Sequence, residues 1–300
     1  MNSVTDAATA EALYVNGLAS GSADVDWEQA VLLSRKRVLR VLRSSNYLND
    51  IETAIAASGT HMTVLRHMFG PPVSQDQFAL ICTQYRKACE KDGKRVRQVD
   101  APAVASSVRR LLDPKITPWL HRSSKPTLRE IRLLIATVAP MLSLQTVATL
   151  RRNRLSAAQE GAVITMLETM GWSRLSSGVV EQSAALPAGN FMHKTRFATQ
   201  TRPQEVDIAC GLGASVVLAM ECKVTNDRTN SVKRVNDILK KATAWQLHWG
   251  SFVRTAALLQ GVIAEKDVQR LVAANVHVFW SHDLDRFRLW LEENATIPKA

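Results

Sequence analysis

The feature that most constrains this chain is a change in the spacing of its apolar residues partway along. From about residue 25 to 160 they recur at helical intervals, as in WEQAVLLSRKRVLRVL and SQDQFALICTQYRKACEK. Gly and Pro punctuate these runs at 70–72, 113–114 and 125–126. From about residue 170 the pattern becomes short β-rich runs, EVDIACGL, SVVLAMECKV, TAALLQGVI and VHVFW, separated by helical stretches. The spacing predicts an all-helical region over residues 1–150 and an α/β region over 151–300, with a mixed sheet flanked by helices. The boundary is expected between residues 125 and 158.

Three hundred residues, 46% of them hydrophobic, are enough for a sizeable core and argue against disorder. The net charge of +11 suits an anionic partner. Between Lys87 and Arg154 there are 15 Lys or Arg against five acids, so this segment alone carries net +10. Such a cluster, Arg109 and Arg110 included, either follows a phosphate backbone or forms solvated helix faces. No stretch approaches the roughly 18 consecutive apolar residues of a bilayer span, and the N-terminus lacks a basic region followed by an apolar run. A cytoplasmic protein without a membrane partner is expected. Cys82, Cys89, Cys210 and Cys222 show no CxxC pairing and read as reduced core residues.

The stretch that carries chemistry is RPQEVDIACGLGASVVLAMECKV, residues 202–224, which reads as strand, turn at Gly211–Leu212–Gly213, strand. The hairpin brings Asp207 beside Glu221 and Lys223. Side chains alternate across a sheet, so Glu221 and Lys223 share a face while Cys222 points away. A carboxylate and an ammonium at the end of an apolar strand are costly to desolvate unless paired with each other or with a metal. Asp207 adds a second anion. Two carboxylates with a carbonyl oxygen, that of Cys222, make the oxygen-rich site that Mg²⁺ prefers, where the metal polarises a phosphoryl oxygen and activates a water as nucleophile. Lys223 then orients the nucleophile and offsets charge in the transition state. A structural ion pair is the bland alternative for an E-x-K on a strand.

An Asp on one strand and Glu-x-Lys on the next resembles the PD-(D/E)xK nuclease superfamily, with Val206 in place of its Pro. The wider stretch, MHKTRFATQTRPQEVDIACGL and LAMECKVTNDRTNSVKRVNDILKKATAWQLHWG, is similar to the XamI family of type II restriction endonucleases over about residues 155–260. The resemblance implies a restriction-endonuclease-like core, sequence-specific cleavage of double-stranded DNA with Mg²⁺, and a cognate DNA methyltransferase. It also implies a Glu on the preceding helix joining the metal cluster, for which Glu160 is the match. That helix, SAAQEGAVITMLETMGW, is expected to start at a Ser156 N-cap and stop at Gly171, with Glu160 in its first turn. Glu160 could equally serve only the positive end of the helix.

Residues 189–204, GNFMHKTRFATQTRPQ, interleave His193, Lys194, Arg196 and Arg202 with Phe191 and Phe197 and are expected to form a DNA-contacting loop. His193 reads as a hydrogen-bonding residue. The helix after the Lys strand presents Asn230, Lys233 and Asn236 on one face, with Lys233 and Asn236 the favoured DNA contacts, against the alternative of an ordinary core helix. Cutting both strands of a palindrome favours a homodimer. Two other readings stay open: a nuclease for structured or modified DNA, and a non-catalytic DNA-binding protein with a nuclease fold.

Overall fold

The computed structural model describes residues 6–19, 22–122 and 124–296. The chain divides into two compact units: Asp24–Leu150, and a second formed by Met1–Ala23 with Arg151–Ala300. The helical runs seen in the sequence become α1 (Asp6–Ala19), α2 (Ser22–Ser44), α3 (Ile51–Ala57), α4 (Gly59–Arg66), α5 (Gln75–Ile81), α6 (Ala101–Leu111) and α7 (Leu128–Thr169). The N-terminal helix α1, read from sequence as part of the helical region, belongs to the sheet-bearing unit: its Ala7 and Ala10 are buried with Val235, Leu259 and Leu271.

In the Asp24–Leu150 unit, Val38, Val41, Ile51, Met62, Phe78, Tyr85, Val104, Trp119 and Leu134 share one core. Local chemistry sets the helix starts. Asp50 accepts the Thr53 N–H to cap α3, and Ser74 with Gln77 forms a reciprocal capping box on α5.

The other unit is a seven-stranded mixed sheet between helical layers. Its strands are β1 (Ser173–Arg174), β2 (Val179–Val180), β3 (Asn190–Phe197), β4 (Gln204–Gly213), β5 (Val216–Thr225), β6 (Val253–Gly261) and β7 (Val276–Trp280). The path runs β1-β3-β4-β5-β6-β7, with β2 also paired to β3. Strands β3, β4 and β5 are antiparallel, whereas β5, β6 and β7 are parallel. The helices α8 (Arg228–Trp249) and α9 (Glu265–Ala273) are the crossovers that parallel pairing requires. They cover one face with α1, and α7 with α10 (Leu284–Asn294) covers the other. The α/β class with a preceding helical region is as the apolar spacing predicts.

Three local expectations are corrected. No helix starts at Ser156: α7 runs unbroken through it, because the residues around it, RRNRLSAA, contain no breaker and Ser is tolerated inside a helix. Its C-terminal stop does fall at Gly171, where φ is +83°. The hairpin turn lies at Ala214–Ser215, both at positive φ, and β4 continues through Gly213. Gly211 is needed for a different reason, since a Cβ there would stand 2.1 Å from the Pro187 carbonyl oxygen. Residues 190–197 are strand β3, not a loop, with Phe191, Met192, Thr195 and Phe197 buried. By length and composition α7 could cross a bilayer, but Leu134, Val138 and Leu142 pack in one core and Val163 and Leu167 in the other.

Candidate active site

Strand β5 is apolar from Val216 to Met220 and then places Glu221 and Lys223 on the face toward α8, with Cys222 buried on the face toward α7. The last register pair of β4 with β5 at this end is Ile208 with Met220, so Asp207 lies where the two strands part. Its Oδ2 accepts the Cys222 N–H at 2.9 Å and takes the Lys223 ammonium, also at 2.9 Å. Lys223 Nζ is 2.7 Å from Glu221 Oε2, close enough for an ion pair although Oε2 makes no aligned hydrogen bond. The sequence-predicted trio therefore meets. Cys222 contributes its amide to Asp207, and its carbonyl, the expected metal ligand, is seen in no side-chain contact among the described residues.

Two more lysines and a third acid extend the trio. Lys241 of α8 donates to Glu221 Oε1 at 2.7 Å and to the Glu205 carbonyl at 2.8 Å. Lys194 of β3 bridges Glu160 Oε1 at 2.7 Å and Asp207 Oδ1 at 2.8 Å. The order Glu160, Lys194, Asp207, Lys223, Glu221, Lys241 thus alternates acid and base. His193 Nε2 meets the other oxygen of Glu160 at 2.7 Å, and its Nδ1 lies 3.2 Å from Arg174. Glu160 sits in the interior of α7, so a helix N-terminus plays no part in holding it. Its neighbour Gln159 fixes the helix over the sheet by donating to the Leu258 carbonyl and to Ser281 Oγ.

Burial and these partners set the protonation of the group. Burial alone would raise the Asp207 carboxyl, but Lys223, Lys194 and the Cys222 N–H outweigh it and hold it down to about 2. Glu221, with its side chain 0% exposed, goes the other way: burial raises it despite Lys223 and Lys241. Lys223 stays protonated, since Glu221 and Asp207 outweigh the cost of its burial. Burial pushes the Cys222 thiol well up, leaving it inert. Among the described residues no three His, Cys, Asp or Glu are drawn tightly enough to hold a metal ion, because the lysines stand between the acids.

Among the described residues, no side-chain hydrogen bond or ion pair joins Arg196, Arg202, Lys233 or Asn236 to this cluster. Arg196 and Arg202 are exposed, on β3 and in the turn after it. Lys233 is exposed on α8, and Asn236 accepts from Arg270 of α9 at 2.6 Å. Arg109 and Arg110 line a cavity of about 740 Å³ with Asn49, His121 and Lys125 in the helical unit. Sequence reasoning missed Lys241 as a site residue, although a signal existed. It lies three residues after Ile238 and four before Trp245, on the buried stripe of its helix, where a cation needs an anion.

One end of the central strands β4 and β5 thus carries an Asp and a Glu-x-Lys, with a third acid beside them on α7. The profile of the XamI restriction endonuclease family matches residues 46–280. The chain belongs to that family. It is 31% identical over 194 residues to the type II restriction enzyme XamI of Xanthomonas campestris pv. amaranthicola, which covers 62% of this chain and 67% of that protein. The crystal structure of protein VC1899 from Vibrio cholerae aligns with 93% of this chain at 11% identity and a TM-score of 0.33, and this chain spans 58% of that protein.

Proposed function

We propose that this protein is a type II restriction endonuclease that hydrolyses phosphodiester bonds of double-stranded DNA at a specific sequence, with Mg²⁺ as cofactor. The observation that carries this reading is Lys223, held 2.9 Å from Asp207 and 2.7 Å from Glu221 at the carboxyl end of an otherwise apolar strand. The donor set fits a hard cation. Asp207 and Glu221 offer carboxylate oxygens, and Glu221 Oε2 is buried without a hydrogen bond. Asp207 and Glu221 would hold the ion, joined by Glu160 once Lys194 gives up its place between Glu160 and Asp207, and the bound ion would polarise a phosphoryl oxygen and offset charge on the leaving group.

The chain's own residues do the rest. Asp207 stays ionised across the working range of pH, and the Cys222 amide fixes its rotamer. Lys241 fixes the Glu221 carboxylate from the other side. Lys223, 17% exposed, is near enough to solvent to orient an attacking water and to donate to a phosphate oxygen. The basic helical unit, with Arg109 and Arg110, supplies phosphate contacts, joined by Arg196, Arg202 and Lys233. Asn236 is kept for its partner Arg270. Cutting two strands calls for a homodimer, and coexistence with a genome calls for a cognate DNA methyltransferase, both in the cytoplasm.

Incubating the Lys223→Ala protein with unmethylated plasmid and Mg²⁺ tests the assignment. Cleavage should fall by about 10³-fold or more, as when a charge-stabilising group is removed. Asp207→Asn should lose cutting while retaining DNA affinity. Undiminished cleavage by either variant would sink the assignment.

A further inference from the structure

Lys194 departs from an ordinary strand residue in three ways. Its φ is +54°, a left-handed conformation that is strained for a non-glycine residue. The buried side chains of β3 change sides at this point. Phe191 packs toward α7 and Phe197 toward α8, although regular alternation would put both on one face. In consequence His193 and Lys194, which as neighbours in a strand should point oppositely, both reach Glu160. The outer partner of β3 is broken at the same place, with β1 pairing Asn190–Phe191 and β2 pairing Arg196–Phe197.

The kink uses backbone strain to set one ammonium between two carboxylates. Lys223 is shared between Asp207 and Glu221, so Lys194 supplies the counter-charge that Glu160 and Asp207 otherwise lack. Lys194 also differs from Lys223 in access: its side chain is 53% exposed against 17%. A DNA-contacting lysine would be free to reach outward, whereas this one is turned inward and held by both acids.

We propose that Lys194 is the resident counter-ion of a cation position between Glu160 and Asp207, competing with divalent metal for the two carboxylates in the DNA-free protein. The inference rests on Glu160 and Asp207 being metal-facing acids, as in the proposed function. It assigns Lys194 a positioning role toward the metal in place of the phosphate contact expected from sequence.

The test is Mn²⁺ binding to DNA-free protein, with free ion counted by electron paramagnetic resonance, so that no turnover enters the readout. Lys194→Met removes the ammonium. Lys194→Gly also removes it but suits the positive φ, and serves where the Met variant does not fold. Both should bind Mn²⁺ about tenfold or more tighter than the unaltered protein, since a unit charge at close range is removed. Adding Asp207→Asn should abolish the gain. Unchanged or weaker binding in the folded Gly variant overturns the proposal, as does a gain that survives Asp207→Asn. Plasmid cleavage separates this from the broader reading. If the unaltered protein cuts and Asp207→Asn does not, while Mn²⁺ affinity ignores Lys194, only the counter-ion role fails. If nothing cuts DNA but the Lys194 variants gain Mn²⁺ affinity, the nuclease reading fails and the counter-ion role stands.

Discussion

A lysine on the buried stripe of a helix must find an anion, and Lys241 finds Glu221. The carboxylate is fully enclosed and raised by burial, so each ammonium it touches matters to the fold as well as to the site. Changing Lys241 to Met should destabilise the protein by about 3 kcal/mol, because it leaves a buried charge half-compensated. The double variant Glu221→Gln with Lys241→Met should recover at least half of that loss in denaturant melts. A double variant as unstable as the sum of the singles would mean the two groups act independently. At this scale the sequence was informative where the signal was local. Glu221 and Lys223 share a face by alternation, and Asp207 follows from the hairpin. Lys194 and Lys241 lie 13 residues before Asp207 and 20 after Glu221, and a strand kink and a helix phase bring them in. Spacing marks Lys241 as lying on a buried stripe but not which anion it meets, and it gives no sign of the inward turn of Lys194.

Among the elements, strands β4 to β7 and the helix after the Lys strand were legible because their apolar runs are long and bounded. Two misreadings share a cause: polar residues were taken for boundaries. The Arg-rich start of RRNRLSAA sits mid-helix in α7, and the basic residues of β3 line a strand whose aromatic side chains, Phe191 and Phe197, are buried. In the helical unit, α4, α5 and the following turn converge on a buried acid that no sequence pattern singles out. Glu90 accepts from Thr63, Arg66, Gln75 and Tyr85. Burial would raise its carboxyl, but Arg66, Tyr85 and Gln75 outweigh this and hold it below its ordinary 4.5. A carboxyl depressed on folding contributes stability that is fully present above its unfolded value and fades as pH falls through its folded one. The stability difference between the unaltered protein and Glu90→Gln should therefore be largest above pH 4.5 and shrink below it. Acid titration of denaturant melts checks this, and a difference that grows in acid would be the wrong sign.

Across the whole molecule, the net charge of +11 predicts DNA affinity that falls steeply with salt. Replacing Arg109 and Arg110 together by Ala should flatten the slope of log affinity against log salt by about 2, near 0.9 for each phosphate no longer neutralised. Fluorescence anisotropy on one duplex at several salt concentrations reads the slope directly. An unchanged slope would remove these two residues from the DNA-contacting set. The acid–base ladder gives this charge a particular distribution. Glu160, Asp207 and Glu221 formally cancel Lys194, Lys223 and Lys241, so the ladder is neutral and the excess of +11 lies entirely outside it. On the proposed function, grip and chemistry are thereby separable traits. On that reading, a lineage can strengthen or relax its hold on DNA through arginines outside the ladder without disturbing the ladder's ion pairs, and can retune the ladder without loosening that hold.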